Sequence, residues 1–398
     1  MPQDISWKCS RQASLKISSK EFYKLNIRKI PALCATLVFL TACGSSLNTS
    51  DTQETAPSDT SAVSDSVTSD ESSEISVSEV SSAAEETETD TETTAILTEC
   101  MEYNISSLKG PTTMGMVKLI SDSEKGETFN KYNVSIYATA DEIVAGVVSG
   151  NTDIANVPAN LAAVLYNKTE GNIKVAAVNT LGVLYVVTSG EDITSVADLK
   201  GKTVYSTGKG TTPEYVLNYI LRANGLEPQT DVTIEYKSEA SECAAVMAES
   251  ENAIAVLPQP YVTAAQLQNE NIKIALSLTD EWDKVSETPL ITGVTIAQKN
   301  VIEENTVAFD DFLGEYQASV DFVNENTDEA AELIGNYDIV KAPVAKKALP
   351  YCNITLLRRE DMRSAVTGYW NILFDADSKS VGGKLPDDDA FYTEMIYE

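Results

Sequence analysis

From about Met101 onward, short β-branched apolar runs alternate with longer segments whose apolar positions recur at helical spacing. The runs predict strands over 103–107, 132–138, 153–157, 173–179 and 183–188, with helices over 114–121, 140–149 and 159–166 between them. A second series follows: strands over 203–206, 232–236, 253–257, 273–276 and 290–297, with helices over 213–224, over 239–249 and from about Tyr261. Further on, Phe309, Leu313, Tyr316, Val320 and Val323 step by four and three, which gives one buried helix face. The remainder, including 363–374, reads as additional helices packed on the first unit. Strand-helix alternation of this kind predicts an α/β fold in which each lobe is a mostly parallel sheet flanked by helices. The second unit is inserted within the first, so the chain needs two hinge crossings, expected near 188–199 and 278–290. Lobe 1 is then 98–190 with 288–398, and lobe 2 is 191–287. Ligands of open α/β sheets bind outside the carboxyl ends of the strands, which here is the cleft between the lobes.

The pattern is different before residue 98. Lys24, Arg28 and Lys29 precede the apolar run IPALCATLVFL at 30–40, followed by Thr41, Ala42, Cys43 and Gly44. A basic segment and about a dozen apolar residues predict a secretory signal over 1–42, too short to span a bilayer as a helix. Residues 44–96 contain no Lys, Arg or aromatic residue and are dominated by Ser, Thr, Asp, Glu and Ala. Such a segment buries too little apolar surface to offset its ordering entropy, so 43–97 is expected to be a disordered tether, spanning about 40 Å as a flexible coil.

The chain of 398 residues carries a net charge of −31 and has no basic stripe to neutralise phosphates, which argues against a nucleic-acid partner. It has no histidine. That excludes His-ligated zinc, a Ser-His-Asp triad and a Cys-His dyad, while acid-base work by carboxylates or lysine remains open. Of six cysteines, Cys9 and Cys34 fall in the signal and Cys43 at its end. Cys100, Cys243 and Cys352 remain and no bridge is assigned; the last two sit among small apolar residues, where free cysteine behaves as a core hydrophobe.

Candidate chemistry sits where strands run into helices. LKGPTTMG at 108–115 places Thr112, Thr113 and Met114 at a helix start, either as a turn and cap or as an anion site. Asn156 and Asn160 flank Pro158 in IANVPAN, suited to capping or to ligand contact. STGKGTTPE at 206–214 looks like a phosphate loop but fails, because Gly210 rather than Ser or Thr follows Lys209. What remains is a glycine-rich nest of Lys209, Gly210, Thr211 and Thr212 that still suits anions. Gln259 offers a donor and an acceptor, and Tyr261 a ring that either stacks on a ligand or packs in the core.

Four stretches carry a family resemblance: DEIVAGVVSGNTDIANVPANLAAVLYNK at 141–168, SVADLKGKTVYSTGKGTTPEYVLNYILRANGL at 195–226, VLPQPYVTAA at 256–265 and FVNENTDEAAELI at 322–334. Together they resemble the substrate-binding proteins of ABC importers of the nitrate/sulfonate/taurine type, which have the two-lobed type II periplasmic-binding fold. LTAC followed by Gly44 resembles a lipobox, in which Cys43 is lipidated. The resemblance implies that the loops above face the cleft, and adds Leu181 and Gly182, with Asn179, between two strands. It implies a monomeric receptor held by a lipid anchor on the extracytoplasmic face of the cell membrane. Its partners would be a small-molecule solute and a membrane permease driven by a cytoplasmic ATPase, with no cofactor, metal or catalytic residue. Relatives bind sulfonates, nitrate-like anions and thiamine-precursor pyrimidines. The alternative is an enzyme on the same fold, of pyrimidine-precursor or dehydratase type, disfavoured by the missing histidines and by export. If Thr113 faces the ligand, Thr113→Asp is expected to preserve the empty protein and repel an anion.

Overall fold

The computed structural model describes residues 99–393; the predicted signal, the tether and Cys43 lie outside them. Lobe 1 begins with β1 (Glu102–Leu108), α1 (Pro111–Met114), α2 (Val117–Lys125), β2 (Lys131–Tyr137), α3 (Ala140–Val148), β3 (Ile154–Pro158), α4 (Ala159–Lys168) and β4 (Ile173–Leu181). Lobe 2 holds β5 (Leu184–Ser189), β6 (Thr203–Ser206), α5 (Thr212–Ala223), β7 (Thr233–Tyr236), α6 (Ala240–Glu249), β8 (Ala253–Pro258), α7 (Tyr261–Gln268), β9 (Lys273–Ser277) and α8 (Leu278–Asp283). The chain then returns to lobe 1 with β10 (Ile291–Gln298), α9 (Lys299–Glu304), α10 (Thr306–Glu325), α11 (Thr327–Asn336), α12 (Ala342–Ala348), β11 (Ile354–Leu357) and α13 (Arg359–Ala376).

The first sheet has the order β11-β4-β10-β3-β1-β2 and the second β7-β6-β8-β5-β9. β1 runs parallel to β2 and β3, and β6 parallel to β7 and β8, as crossover helices require. The strands next to the crossings do not: β10 is antiparallel to β3 and β4, and β5 to β8 and β9. Both sheets are therefore mixed rather than mostly parallel. Only residues 182–183 join β4 to β5, and the two strands belong to different sheets. The same pair marks the first crossing, earlier than the 188–199 expected, because β5 already belongs to the second sheet. The chain returns through 284–290.

Apolar side chains cover both faces of each sheet, and β3 is buried at all five positions. In α10 the predicted stripe of Phe309, Leu313, Tyr316, Val320 and Val323 is buried against lobe 1. The helix expected over 114–121 is instead two, α1 and α2, separated at Gly115, where an added Cβ would come within 2.9 Å of Ile354. β11 falls where helix was expected. Near the C-terminus, Asp389 accepts hydrogen bonds from Tyr166 and from Lys174 (3.0 Å), and Phe391 stacks on Trp370. Cys243 and Cys352 are free and buried, as core hydrophobes are.

Candidate functional site

A cleft of about 390 Å³ opens between the lobes. Its walls come from the residues that follow the strands: Lys109 after β1, Thr139 after β2, Lys209 and Thr211 after β6, Lys237 after β7, and Tyr261 after β8. Geometry explains this. The carboxyl ends of the parallel strands in both sheets meet here, and the helices that follow begin at the cleft.

Charge sets the cleft apart from the rest of the chain. Three lysines, Lys109, Lys209 and Lys237, line it against two carboxylates, Asp141 and Glu239, in a protein of net charge −31. Lys109 lies 3.8 Å from the fully exposed Asp338, and Lys237 lies 3.8 Å from Glu235, contacts that solvent largely screens. Lys209 makes no ion pair among the described residues; its ammonium stands 5.9 Å over the Tyr236 ring. Burial, followed by the charge of Glu239, pushes the Tyr261 hydroxyl up to about 12, so it stays a neutral donor. Tyr261 is the only aromatic side chain in the lining among the described residues.

Beneath the cleft lies a buried polar network. Thr113 Oγ1 donates to the Leu108 carbonyl (2.6 Å) and lies 2.6 Å from Ser107 Oγ. Asn156 Nδ2 donates to Ser107 Oγ (3.1 Å), and Asn156 Oδ1 accepts from Asn179 (3.1 Å) and Thr295 (2.7 Å). Every member is paired, as a buried network must be to repay its desolvation. Above it, Thr112 lines the cleft while its hydroxyl donates to the Leu108 carbonyl (2.6 Å). Gly293 permits this stacking, since a Cβ there would come within 2.5 Å of Thr112 and 2.6 Å of Asn179.

In lobe 2 the loop between β6 and α5 turns twice through glycines at positive φ, Gly208 (71°) and Gly210 (78°). The turns present Lys209 and Thr211 to the cleft. Glu214, in the first turn of α5, accepts from the Gly210 N–H (2.5 Å). Asn160, at the start of α4 in lobe 1, reaches across: its Nδ2 donates to the Gly210 carbonyl (3.3 Å) and to the Ser380 carbonyl (3.0 Å).

The profile of the family described as ABC transporter, phosphonate, periplasmic substrate-binding protein matches residues 127–334, just over half of the chain. The chain belongs to this family. No curated protein matches it. An ABC transporter structure from Parabacteroides distasonis is similar at 23% identity and TM-score 0.62, covering 74% of this chain and 99% of its own. The periplasmic aliphatic sulphonate binding protein from Escherichia coli is similar at 17% identity and TM-score 0.60, covering 75% and 94%. The periplasmic nitrate-binding protein from Synechocystis PCC 6803 is similar at 13% identity and TM-score 0.53, covering 73% and 87%. At these identities the likeness shows the two-lobed fold. The protein is thus an extracytoplasmic substrate-binding component of an ABC importer.

Set against this binding protein's cleft, the sequence-predicted residues divide. Thr112, Lys209, Thr211, Thr212 and Tyr261 line it. Thr113, Met114 and Asn156 are fully buried beneath it, and Asn160 is fully buried at the junction of the lobes. Leu181 and Gly182 sit at the first crossing, where Gly182 accepts from Asn353 (2.5 Å). Gly210 supports the loop without lining the cleft, and the buried Gln259 accepts from Thr263 (2.9 Å). Sequence reasoning missed Lys109, Thr139, Asp141, Lys237, Glu239 and Thr292. The available signal was position: Lys109 and Lys237 each directly follow a parallel strand. Among the described residues, no cluster of Cys, Asp or Glu is placed to hold a metal ion, and no helix is long and apolar enough to cross a membrane.

Proposed function

We propose that the protein captures a small anionic organic solute, of the phosphonate or sulfonate type or nitrate-like, in the interlobe cleft. It delivers that solute to a membrane permease driven by a cytoplasmic ATPase. The observation that carries this reading is the three-lysine lining in a strongly acidic chain. Fixed positive charge in a concave, partly desolvated site concentrates and orients an anion far more than the same charge on open surface. A single aromatic ring among the described lining residues favours an anion over a pyrimidine sandwiched between rings. The protein catalyses nothing in this reading, which the absence of histidine from the chain favours.

The test is a thermal-shift panel of methylphosphonate, methanesulfonate, taurine and nitrate, with neutral sugars and amines as controls. A solute at about 100 times its Kd adds about 2.7 kcal/mol to stability. Stabilisation by neutral or cationic solutes alone defeats the anion reading. The anchor is proposed at Cys43, the residue of LTAC that directly follows the signal. Cys43→Ser should move the protein from the membrane fraction to the medium, and retention of the variant on membranes refutes lipidation.

A further inference from the structure

Thr292 is the second residue of β10, at the mouth of the return from lobe 2. Across the ladder, Ile291 pairs with Leu181 and Gly293 with Thr180, so Thr292 is an extra residue with no partner opposite. It forms a β-bulge, a device that re-aims one side chain out of the regular alternation. A compensating slip follows at once: Gly293 pairs with Thr180 and Val294 with Val178, which leaves Asn179 extra on β4. The two displaced residues have different fates. Asn179 turns into the network under the cleft and donates to Asn156 (3.1 Å) and Thr295 (3.0 Å). Thr292 lines the cleft, and its hydroxyl is buried with no hydrogen-bond partner in the protein.

That hydroxyl is unusual for its surroundings. The cleft threonines Thr112 and Thr211 donate to the carbonyls of Leu108 (2.6 Å) and Gly208 (2.7 Å), and Thr212 donates to Asn160 (3.4 Å). Their donors are spent on the protein. A buried hydroxyl left unpaired is costly and calls for a reason. One staggered step about χ1 moves the threonine hydroxyl to the position of its methyl and the methyl to that of the Cβ hydrogen, and here the step breaks no existing bond. We propose that Thr292 is a ligand-contacting residue: on binding, its hydroxyl turns into the cleft and donates to an oxygen of the anionic head. The bulge exists to place it there. Lysine supplies charge from the rim, whereas Thr292 supplies a directed bond from the floor, which selects for an oxyanion over a halide-like sphere of charge.

This inference rests on the anion-receptor reading, and the experiment separates the two. The probe is whichever of methylphosphonate, methanesulfonate or nitrate most stabilises the wild-type protein, with affinity measured by calorimetry. Thr292→Val keeps the shape and removes the hydroxyl; Thr292→Ser keeps the hydroxyl. The expected result is a melting temperature of the empty Val variant equal to or above wild type, with affinity lower by about ten- to a hundredfold. The Ser variant should bind within about threefold of wild type. Unchanged affinity in Thr292→Val overturns the proposal and leaves the receptor reading intact. A clear drop in the empty variant's melting temperature also overturns it, because the hydroxyl then serves the fold. Failure of the wild type to bind any of the three anions removes the anion reading, and the Thr292 assignment with it.

Discussion

The rings of Trp282 and Tyr369 lie 5.6 Å apart, and they join α8 of lobe 2 to α13 of lobe 1. Tyr219 of α5 packs on the other side of Trp282 (4.9 Å), and the indole N–H donates to the Thr288 carbonyl (2.7 Å) in the returning crossing. Trp282 is fully buried. One side chain thus fixes the second crossing to both lobes. Trp282→Ala should destabilise the protein by about 3–5 kcal/mol, since it removes a large buried ring and opens a cavity. In denaturant unfolding the midpoint should fall with little change in slope. An unchanged midpoint means that the ring does not hold the crossing.

Thr113→Asp now carries the opposite expectation from the one its position in the sequence supported. A threonine in the first turn of a cleft-facing helix would accept an aspartate, because the helix dipole favours negative charge there. Thr113 is instead fully buried, with Ser107 and the Leu108 carbonyl as its partners. A carboxylate would lose its water and face a carbonyl oxygen that offers no proton. The empty variant should melt well below wild type, and Thr113→Val should cost only about 1–3 kcal/mol. A Thr113→Asp protein as stable as wild type would mean that the side chain reaches solvent.

The outline of the fold was legible because burial leaves a periodic trace. β3 and β8 are near-continuous apolar runs since helices cover both faces of their sheets, and α10 shows a single stripe because it packs on one side only. Other features leave no such trace. β11 has four residues and sits among helices, so no period can develop. The first crossing was misplaced because Leu184–Ser189 is as apolar as any lobe 1 strand, and sheet membership depends on partners far along the chain. Within the site, glycines and threonines announced the loops but not which way each side chain points. Thr112 and Thr113 are neighbours, yet one lines the cleft and the other closes a network below it.

Asp198 explains why the SVADLKGKTV stretch reads so distinctly. Its carboxylate accepts from the Thr194 N–H and hydroxyl (2.9 Å each) and from the Ser195 N–H (2.9 Å) and hydroxyl (3.0 Å), closing a capping box on the turn Val196–Leu199. These four donors, led by the Thr194 N–H, hold its pKa down to about 2, against 3.8 for an ordinary aspartate. Folding therefore favours the charged form. The stabilisation is complete above pH 3.8 and is lost as pH falls through about 2. Asp198→Asn should be less stable than wild type at neutral pH, and the gap should close between those two values. A carboxyl carbon of Asp198 that titrates near 3.8 by NMR contradicts this assignment.

Asn160 and Lys209 separate holding the lobes from holding the ligand. Both belong to the predicted site, yet their surroundings differ in kind. Asn160 is fully buried; it donates to Gly210 across the lobes and to Ser380, and accepts from Thr212 (3.4 Å). Lys209 is exposed in the cleft, next in sequence to the glycine that Asn160 holds. Asn160→Ala removes the donor to the Gly210 and Ser380 carbonyls and the acceptor of the Thr212 hydroxyl, and should cost about 1–3 kcal/mol of stability. Asn160→Asp should cost more, because it replaces the shared donor with a buried negative charge that faces the same carbonyls. Lys209→Ala removes no buried bond, so its stability should stay within about 0.5 kcal/mol of wild type. Its affinity for an anionic solute should fall, because the lining loses one of three positive charges. Thermal melts with and without methylphosphonate, for the three variants and the wild type, read both quantities. Asn160→Asp melting like wild type would place that side chain in solvent and make it a cleft residue, and Lys209→Ala melting low would make the lysine part of the junction.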